Sequence, residues 1–296
     1  MESDAALDLF DRLAVWSRGE QRAPHKPLLV LYALGRWVRG DQGGISFGEV
    51  DHDLTELLKE FGPPRRSYHP EYPFWRLQND GVWTVTSTAP LPARQSNTDP
   101  PKSALLANAA TGGFTEEVKA GLRASPALAG KIAGLLLERH FPETLHADIL
   151  QAVGLDLTPQ AVDRRRDPNF RKRVLTAYEY RCAVCGFDVR IGQSSVALDA
   201  AHIRWHQAGG PDEEANGLAL CVLHHKLFDL GAFTLDENGV VLVSEEVNGS
   251  AGLQQSLLSH HGNSVNPPQR PEWKPAPAHL AWHGREVFKG KARHRS

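Results

Sequence analysis

All three cysteines fall between Cys182 and Cys221, and their company constrains the chain more than anything else in it. Cys182 and Cys185 have two residues between them, and Cys221 and His224 repeat that spacing. Each pair is short enough to sit on one tight turn. Three thiolates and an imidazole complete a tetrahedral zinc site with no open position, so the role expected of the four is structural. The alternatives are three buried free thiols or a Cys182–Cys185 disulfide. The repeated spacing argues against the first. A cytosolic look argues against the second, because Met1-Glu2-Ser3-Asp4 is acidic and no signal-type apolar stretch follows it. No apolar run approaches the ~20 residues of a membrane span. The expectation is a cytoplasmic protein without a membrane partner.

A second pattern overlies the first. Val196 to Ile203 reads as a buried strand ending near His202, Asn216 precedes a short apolar run, and His224-His225-Lys226-Leu227-Phe228 reads as the start of a helix. His202, Asn216 and His225 in this order resemble the HNH nuclease motif, the ββα-metal fold. The resemblance implies that His202 is a general base, that Asn216 braces a loop, and that His225 binds a divalent catalytic ion such as Mg2+ or Mn2+. Those residue types suit phosphodiester hydrolysis, which needs a base for water and a Lewis acid for the charge on phosphate. Many HNH proteins carry Asp immediately before the first His; here that position is Ala201. Asp199, two residues earlier and hence on the same strand face, is the expected second metal ligand, with Asp229 a weaker candidate.

At 296 residues, the chain exceeds the size at which a single core usually stops growing, so two domains are expected. The boundary is placed where Gly154, Thr158 and Pro159 interrupt a helical pattern, giving domains 1–158 and 159–296. The net charge of −2 argues mildly against a nucleic-acid partner. Local charge reverses that argument. From Arg164 to Arg181, seven basic residues face only Asp167 and Glu179, a balance of +5 leading into the first cysteine pair. Arg171, Lys172 and Arg173 are therefore expected to meet phosphate.

Apolar periodicity predicts helices over residues 4–17, 28–38 and 50–61, then over 114–123, 126–138 and 142–153. A short strand is expected at Ile45-Ser46-Phe47. Asp80-Gly81 suggests a hairpin between strands Phe74–Leu77 and Val82–Thr86. Residues 87–103 read as a loop. Beyond the nuclease pattern, a hairpin is expected between Gly231 and Val243 with its turn at Glu237-Asn238-Gly239, then a short helix near 250–258. An extended Pro-rich stretch follows, with His279 to His283 docking the tail.

The N-terminal half carries Pro24-His25-Lys26-Pro27-Leu28-Leu29, Tyr72-Pro73-Phe74-Trp75-Arg76-Leu77, Asp80-Gly81-Val82-Trp83 and Gly112-Gly113-Phe114. In this order and ahead of an HNH pattern, they resemble the DNA sulfur-binding domain of phosphorothioate-dependent, McrA-type HNH restriction endonucleases. The fold implied is α+β: a mainly helical sulfur-binding domain, then a zinc-stapled ββα nuclease. The resemblance implies a shallow pocket for the sulfur formed by His25, Lys26, Tyr72, Pro73 and Arg76, with Trp75 beside them. The family often has Arg where Lys26 stands, and an ammonium does not offer the planar fork of a guanidinium. Arg65, Arg66, Arg94 and Gln95 are the candidates for base contacts.

The function expected is a modification-dependent endonuclease acting on double-stranded phosphorothioated DNA, as a homodimer if both strands are cut. Two alternatives stand beside it: an HNH endonuclease that reads another mark such as methylcytosine, and a non-catalytic DNA-binding protein on a degenerate HNH scaffold.

Overall fold

The structure, a computed structural model, describes residues 3–15, 20–92, 99–155, 167 and 169–294. The chain divides into two compact units, Met1–Asp163 and Arg164–Ser296.

The first unit is built around one helix. After α1 (Ser3–Asp11), α2 (His25–Val38) begins on Pro24, and its third residue is Pro27, a first-turn position whose missing N–H costs no helical bond. Leu28, Leu29, Val30, Leu31 and Leu34 are all fully buried, as an apolar circumference requires. β1 (Ile45–Ser46) runs straight into α3 (Phe47–Phe61). Ser46 caps α3: its hydroxyl accepts from Glu49 N–H, and the Glu49 carboxylate accepts from Ser46 N–H in return. This reciprocal cap starts the helix three residues before the apolar periodicity does.

The expected strand at Phe74–Leu77 is instead helical. α4 (Glu71–Arg76) passes into a 3-10 turn over Leu77–Asp80 that ends on Gly81 at φ +74°. Pro70 and Pro73 favour a first helical turn, and Phe74 and Leu77, three residues apart, bury on one face. Gly81 is therefore a left-handed stop rather than part of a hairpin turn. β2 (Trp83–Thr86) pairs antiparallel not with this segment but with β3 (Thr111–Phe114), reached after α5 (Lys102–Ala107). The sheet order is β1-β3-β2, with Val85 opposite Gly112. A Cβ at Gly112 would lie 2.7 Å from both Phe74 and Trp83. Its absence admits a nest of edge-to-face rings in which Phe74 meets Phe47 at 5.0 Å and Trp83 meets Phe114 at 5.8 Å. α6 (Glu116–Ala124), α7 (Ala127–His140) and α8 (Glu143–Val153) complete the unit. α3, α7 and α8 all pack on α2 or on one another.

In the second unit, α9 (Phe170–Ala177) supports a series of two-stranded ribbons. β4 (Arg190–Ile191) and β5 (Ser194–Ser195) form a small exposed hairpin. β6 (Leu198–His202) pairs antiparallel with β7 (Gly217–Cys221), from Leu198 opposite Cys221 to His202 opposite Gly217. α10 (Val222–Asp229) follows at once, completing a ββα unit. β7 is wholly buried, whereas β6 leaves Asp199 and His202 half-buried. β8 (Phe233–Leu235) and β9 (Val241–Val243) make the expected hairpin, with Gly239 at φ +76° in its turn. α11 (Ala251–Ser256) and α12 (Pro277–Glu286) end the fold. α12 buries Leu280, Trp282 and His283, so the tail docks as a regular helix. Among the described residues no helix is long and apolar enough to cross a membrane.

Candidate functional site

The zinc candidates converge. One ligand atom from each of Cys182, Cys185, Cys221 and His224 lies within 4.8 Å of the others. Cys185 Sγ is 4.0 Å from Cys221 Sγ, and His224 Nδ1 is 3.2 Å from Cys221 Sγ and 3.6 Å from Cys182 Sγ. A tetrahedron with metal–sulfur bonds of ~2.3 Å has edges of about 3.8 Å, so the four residues fit a zinc ion as they stand. Local folding explains the convergence. Gly186, at φ +75°, turns the chain so that its N–H donates to Cys182 O, while Cys182 N–H donates to Phe187 O. Cys221 ends β7 as the N-cap of α10, which places His224 in the first turn of the helix. His224 Nε2 donates to Ser256 O at 2.8 Å, fixing the tautomer whose Nδ1 faces the sulfurs. The sulfurs crowd one another: the contacts with Cys185 and Cys221 hold the Cys182 thiol well below its ordinary range, and Cys182 and Cys221 push Cys185 well above it. Adjacent sulfurs cannot all ionise cheaply without a cation among them.

The three HNH candidates lie on the ββα unit. His202, at the end of β6, stacks on Phe170 with ring centroids 4.0 Å apart. Its Nε2 donates to Asp212 Oδ1 at 2.7 Å. Asn216 is fully buried and its amide is fully used. It accepts from Arg204 N–H at 2.8 Å and donates to Arg204 O and Pro211 O at 3.0 and 2.9 Å, closing the loop between β6 and β7. His225 faces two carboxylates: Nδ1 is 3.7 Å from Asp199 Oδ2, and Nε2 is 3.3 Å from Asp229 Oδ2. Asp229 is buried, one turn on along α10, whereas Asp199 is half-exposed. His225 holds Asp199 below the usual carboxylate range despite its partial burial. Ligand atoms sharing one ion at ~2.1 Å stand about 3 Å apart, so Asp199 and His225 fit as a two-residue seat for a divalent cation after slight closing. Ala201 is fully buried, whereas Asp199, two residues earlier on the strand, is half-exposed beside His225. His202 and His225 sit on neighbouring elements but bond to different carboxylates.

The basic residues of α9 divide. Lys172 and Arg171 are exposed, and Arg171 also donates to Leu198 O at 2.6 Å beside Asp199. Arg173 is taken up internally by Asp167, Glu214 and the carbonyl of Asp212.

In the first unit, His25 opens α2 half-buried, and burial, then Arg65, then His69 lower its pKa to about 4, so the ring is neutral near pH 7. Tyr72 stacks on His69 with centroids 5.1 Å apart, and the Arg76 guanidinium lies 4.8 Å from the Tyr72 ring. Arg76 Nε also donates to buried Asp99 at 2.7 Å. His25 thus feels the charges of Arg65 and His69, and the Tyr72 ring contacts both His69 and Arg76. Pro73 is buried in α4, Trp75 is half-buried and Arg66 is exposed. The Lys26 ammonium is paired, 2.5 Å from Asp80, which also accepts from Ala14 N–H. Arg94 and Gln95 lie outside the described residues. Sequence reasoning passed over His69, Asp99, Asp212 and the buried Glu71, whose carboxylate is 3.1 Å from His69 Nδ1. For His69 a signal was present, a histidine two residues before Glu71 inside the Arg65–Arg76 stretch.

Comparison with known proteins agrees with this division. The family model described as ScoMcrA-like, DNA sulfur-binding domain matches residues 3–158. The model for HNH endonuclease matches residues 182–236. Among solved structures, the chain is similar to the sulfur-binding domain of ScoMcrA complexed with phosphorothioated DNA, at 24% identity over 50% of this chain and 94% of that one, with a TM-score of 0.44. It is similar to the sulfur-binding domain of SprMcrA complexed with phosphorothioated DNA at 24% identity over 52% and 95%, TM-score 0.43. Similarity to the modification-dependent TagI restriction endonuclease is 25% identity over 45% and 41%, TM-score 0.29. No curated protein matches the chain. The chain belongs to the ScoMcrA-like DNA sulfur-binding domain family, here joined to an HNH endonuclease domain, and is a DNA-cleaving enzyme.

Proposed function

We propose that the first unit seats a phosphorothioate on the surface formed by His25, Tyr72 and Arg76, with Arg65 and His69 beside it, and that the second unit then hydrolyses a phosphodiester bond. The observation that carries this reading is the pairing in one chain of the sulfur-binding family match with a ββα unit holding His202, Asn216 and His225. Sulfur is larger and more weakly hydrated than oxygen. A neutral imidazole and aromatic faces lose less by covering it than by covering a phosphate oxygen that wants hydrogen bonds. Arg76 and Arg65 supply the charge for the remaining oxygens. Discrimination from a single atom is about 1–3 kcal/mol, so neighbouring base contacts must add to it.

In the nuclease unit, His202 accepts a proton from the attacking water. Asp199 and His225 would hold a divalent ion, Mg2+ or Mn2+, which when bound would supply Lewis-acid stabilisation of the charge on phosphate and leaving oxygen. Asp229 orients His225 from the opposite ring nitrogen. Asn216 keeps the intervening loop closed. The Cys182, Cys185, Cys221 and His224 zinc site is structural. One such centre cuts one strand, so scission of both strands calls for two copies of the chain.

The test is a paired gel shift with two duplexes that differ in one phosphorothioate linkage, at physiological salt, followed by addition of Mg2+ or Mn2+. Preferential retention and cutting of the sulfur duplex is expected. Equal binding with cutting would transfer the recognition to another mark, such as methylcytosine. Binding without cutting would make the chain a DNA-binding protein only.

A further inference from the structure

The acidic side chain nearest the proposed general base is not part of any pattern in the sequence. Asp212 lies in the loop between β6 and β7, ten residues beyond His202, and its Oδ1 receives the His202 Nε2–H at 2.7 Å. Its other oxygen, Oδ2, accepts from Asp167 N–H at 3.2 Å. Burial pushes this carboxyl up, but the His202 and Asp167 bonds outweigh it and hold Asp212 below the usual carboxylate range. The loop beneath it is fixed from two sides. Arg173 spans from Asp167 to Glu214 and donates to the Asp212 carbonyl, and Asn216 ties Pro211 to Arg204. Phe170 lies flat against the imidazole at 4.0 Å, which confines the ring to one plane.

We infer that Asp212 is a positioning residue for the cleavage reaction: it holds His202 as the Nε2-protonated tautomer and so places the ring's lone pair on Nδ1. A carboxylate in this place does two things for a general base. It selects the nitrogen that takes the proton, and it stabilises the imidazolium that results. The proton passes from water to Nδ1, Asp212 remains ionised throughout, and the proton leaves for the departing oxygen or for solvent in a later step. The residues of α9 and Asp167 just before it acquire a purpose in this arrangement. Arg173 and Asp167 act on catalysis through the Asp212 loop, and Phe170 acts through the ring plane.

The inference rests on His202 being the base, and its test separates the two. His202→Ala and Asp212→Asn are compared in the full-length zinc-loaded protein. Four quantities are measured: single-turnover cleavage of a phosphorothioated duplex, binding of that duplex without divalent metal, zinc content with melting temperature, and the 15N spectrum of labelled histidines. For Asp212→Asn the cleavage rate should fall about 100-fold, with binding, zinc and melting temperature unchanged. The His202 resonances should change from Nε2-protonated to a tautomer mixture. Asp212→Glu, which restores the charge, should recover part of the rate. A rate within threefold of the parent, or an unchanged tautomer, would overturn the inference. So would a rate loss accompanied by loss of zinc or of melting temperature, which would make Asp212 a loop residue only. Full cleavage by His202→Ala would instead reject the assignment of the base.

Discussion

Lys26 and Asp80 form a closed ion pair, ammonium to carboxylate at 2.5 Å, with little of either side chain reaching solvent. Truncating one partner of such a pair leaves the other charge buried, at a cost of roughly 3–5 kcal/mol. Lys26→Ala should therefore lower the urea stability of the first unit by about 3 kcal/mol. Lys26→Ala losing DNA binding at unchanged stability would return the ammonium to the sulfur pocket.

Acid should weaken the first unit through His25. Its pKa is lowered from 6.5 to about 4 in the fold, so between those values the unfolded chain binds the extra proton and stability rises with pH. The contribution is complete above the unfolded value and is lost as pH falls toward 4. The parent should lose about 3 kcal/mol more than His25→Gln between pH 7 and pH 4. Parallel stability curves for the two proteins would contradict the burial of a neutral ring.

Removal of the structural metal should unfold the second unit. Cys182→Ser should cut bound zinc to well below one equivalent and, like chelation of the parent, abolish cooperative melting of that unit, because the binding energy of a closed zinc site is folding energy. Full zinc occupancy in Cys182→Ser would refute the site.

The two carboxylates around His225 should separate by titration with Mn2+. Asp199→Ala, which removes a proposed ligand, should abolish saturable activation. Asp229→Asn should raise the half-saturating concentration about 10- to 100-fold while keeping the maximal rate within reach. The reverse ranking would exchange ligand and orienting residue.

What was readable in the sequence depended on distance along the chain. The Cys182–Cys185 and Cys221–His224 pairs each occupy one turn, so spacing alone grouped them, and the antiparallel strand pair then brought the groups together. The buried α2 announced itself through an apolar circumference. Phe74–Leu77 was misread as a strand because four residues are too few to separate periods of 2 and 3.6; its two prolines and Gly81 carried the helical signal. The Ser46–Glu49 capping box was equally legible and would have placed the start of α3 correctly. Asp212, Asp99 and Asp80 were not legible. Each meets its partner from a loop or turn across 10, 23 and 54 residues of chain, and no local pattern registers such a meeting.

His224 and His225 are consecutive in α10, one facing the cysteines and the other Asp199 and Asp229. Neighbouring side chains on an α-helix diverge by about 100°. Anchoring His224 by Nδ1 to the sulfurs and by Nε2 to Ser256 therefore sets the rotational phase of α10, and with it the bearing of His225. The cysteine cluster acts as an index pin: a helix free to roll by one residue would carry His225 off Asp199 while keeping its own internal hydrogen bonds.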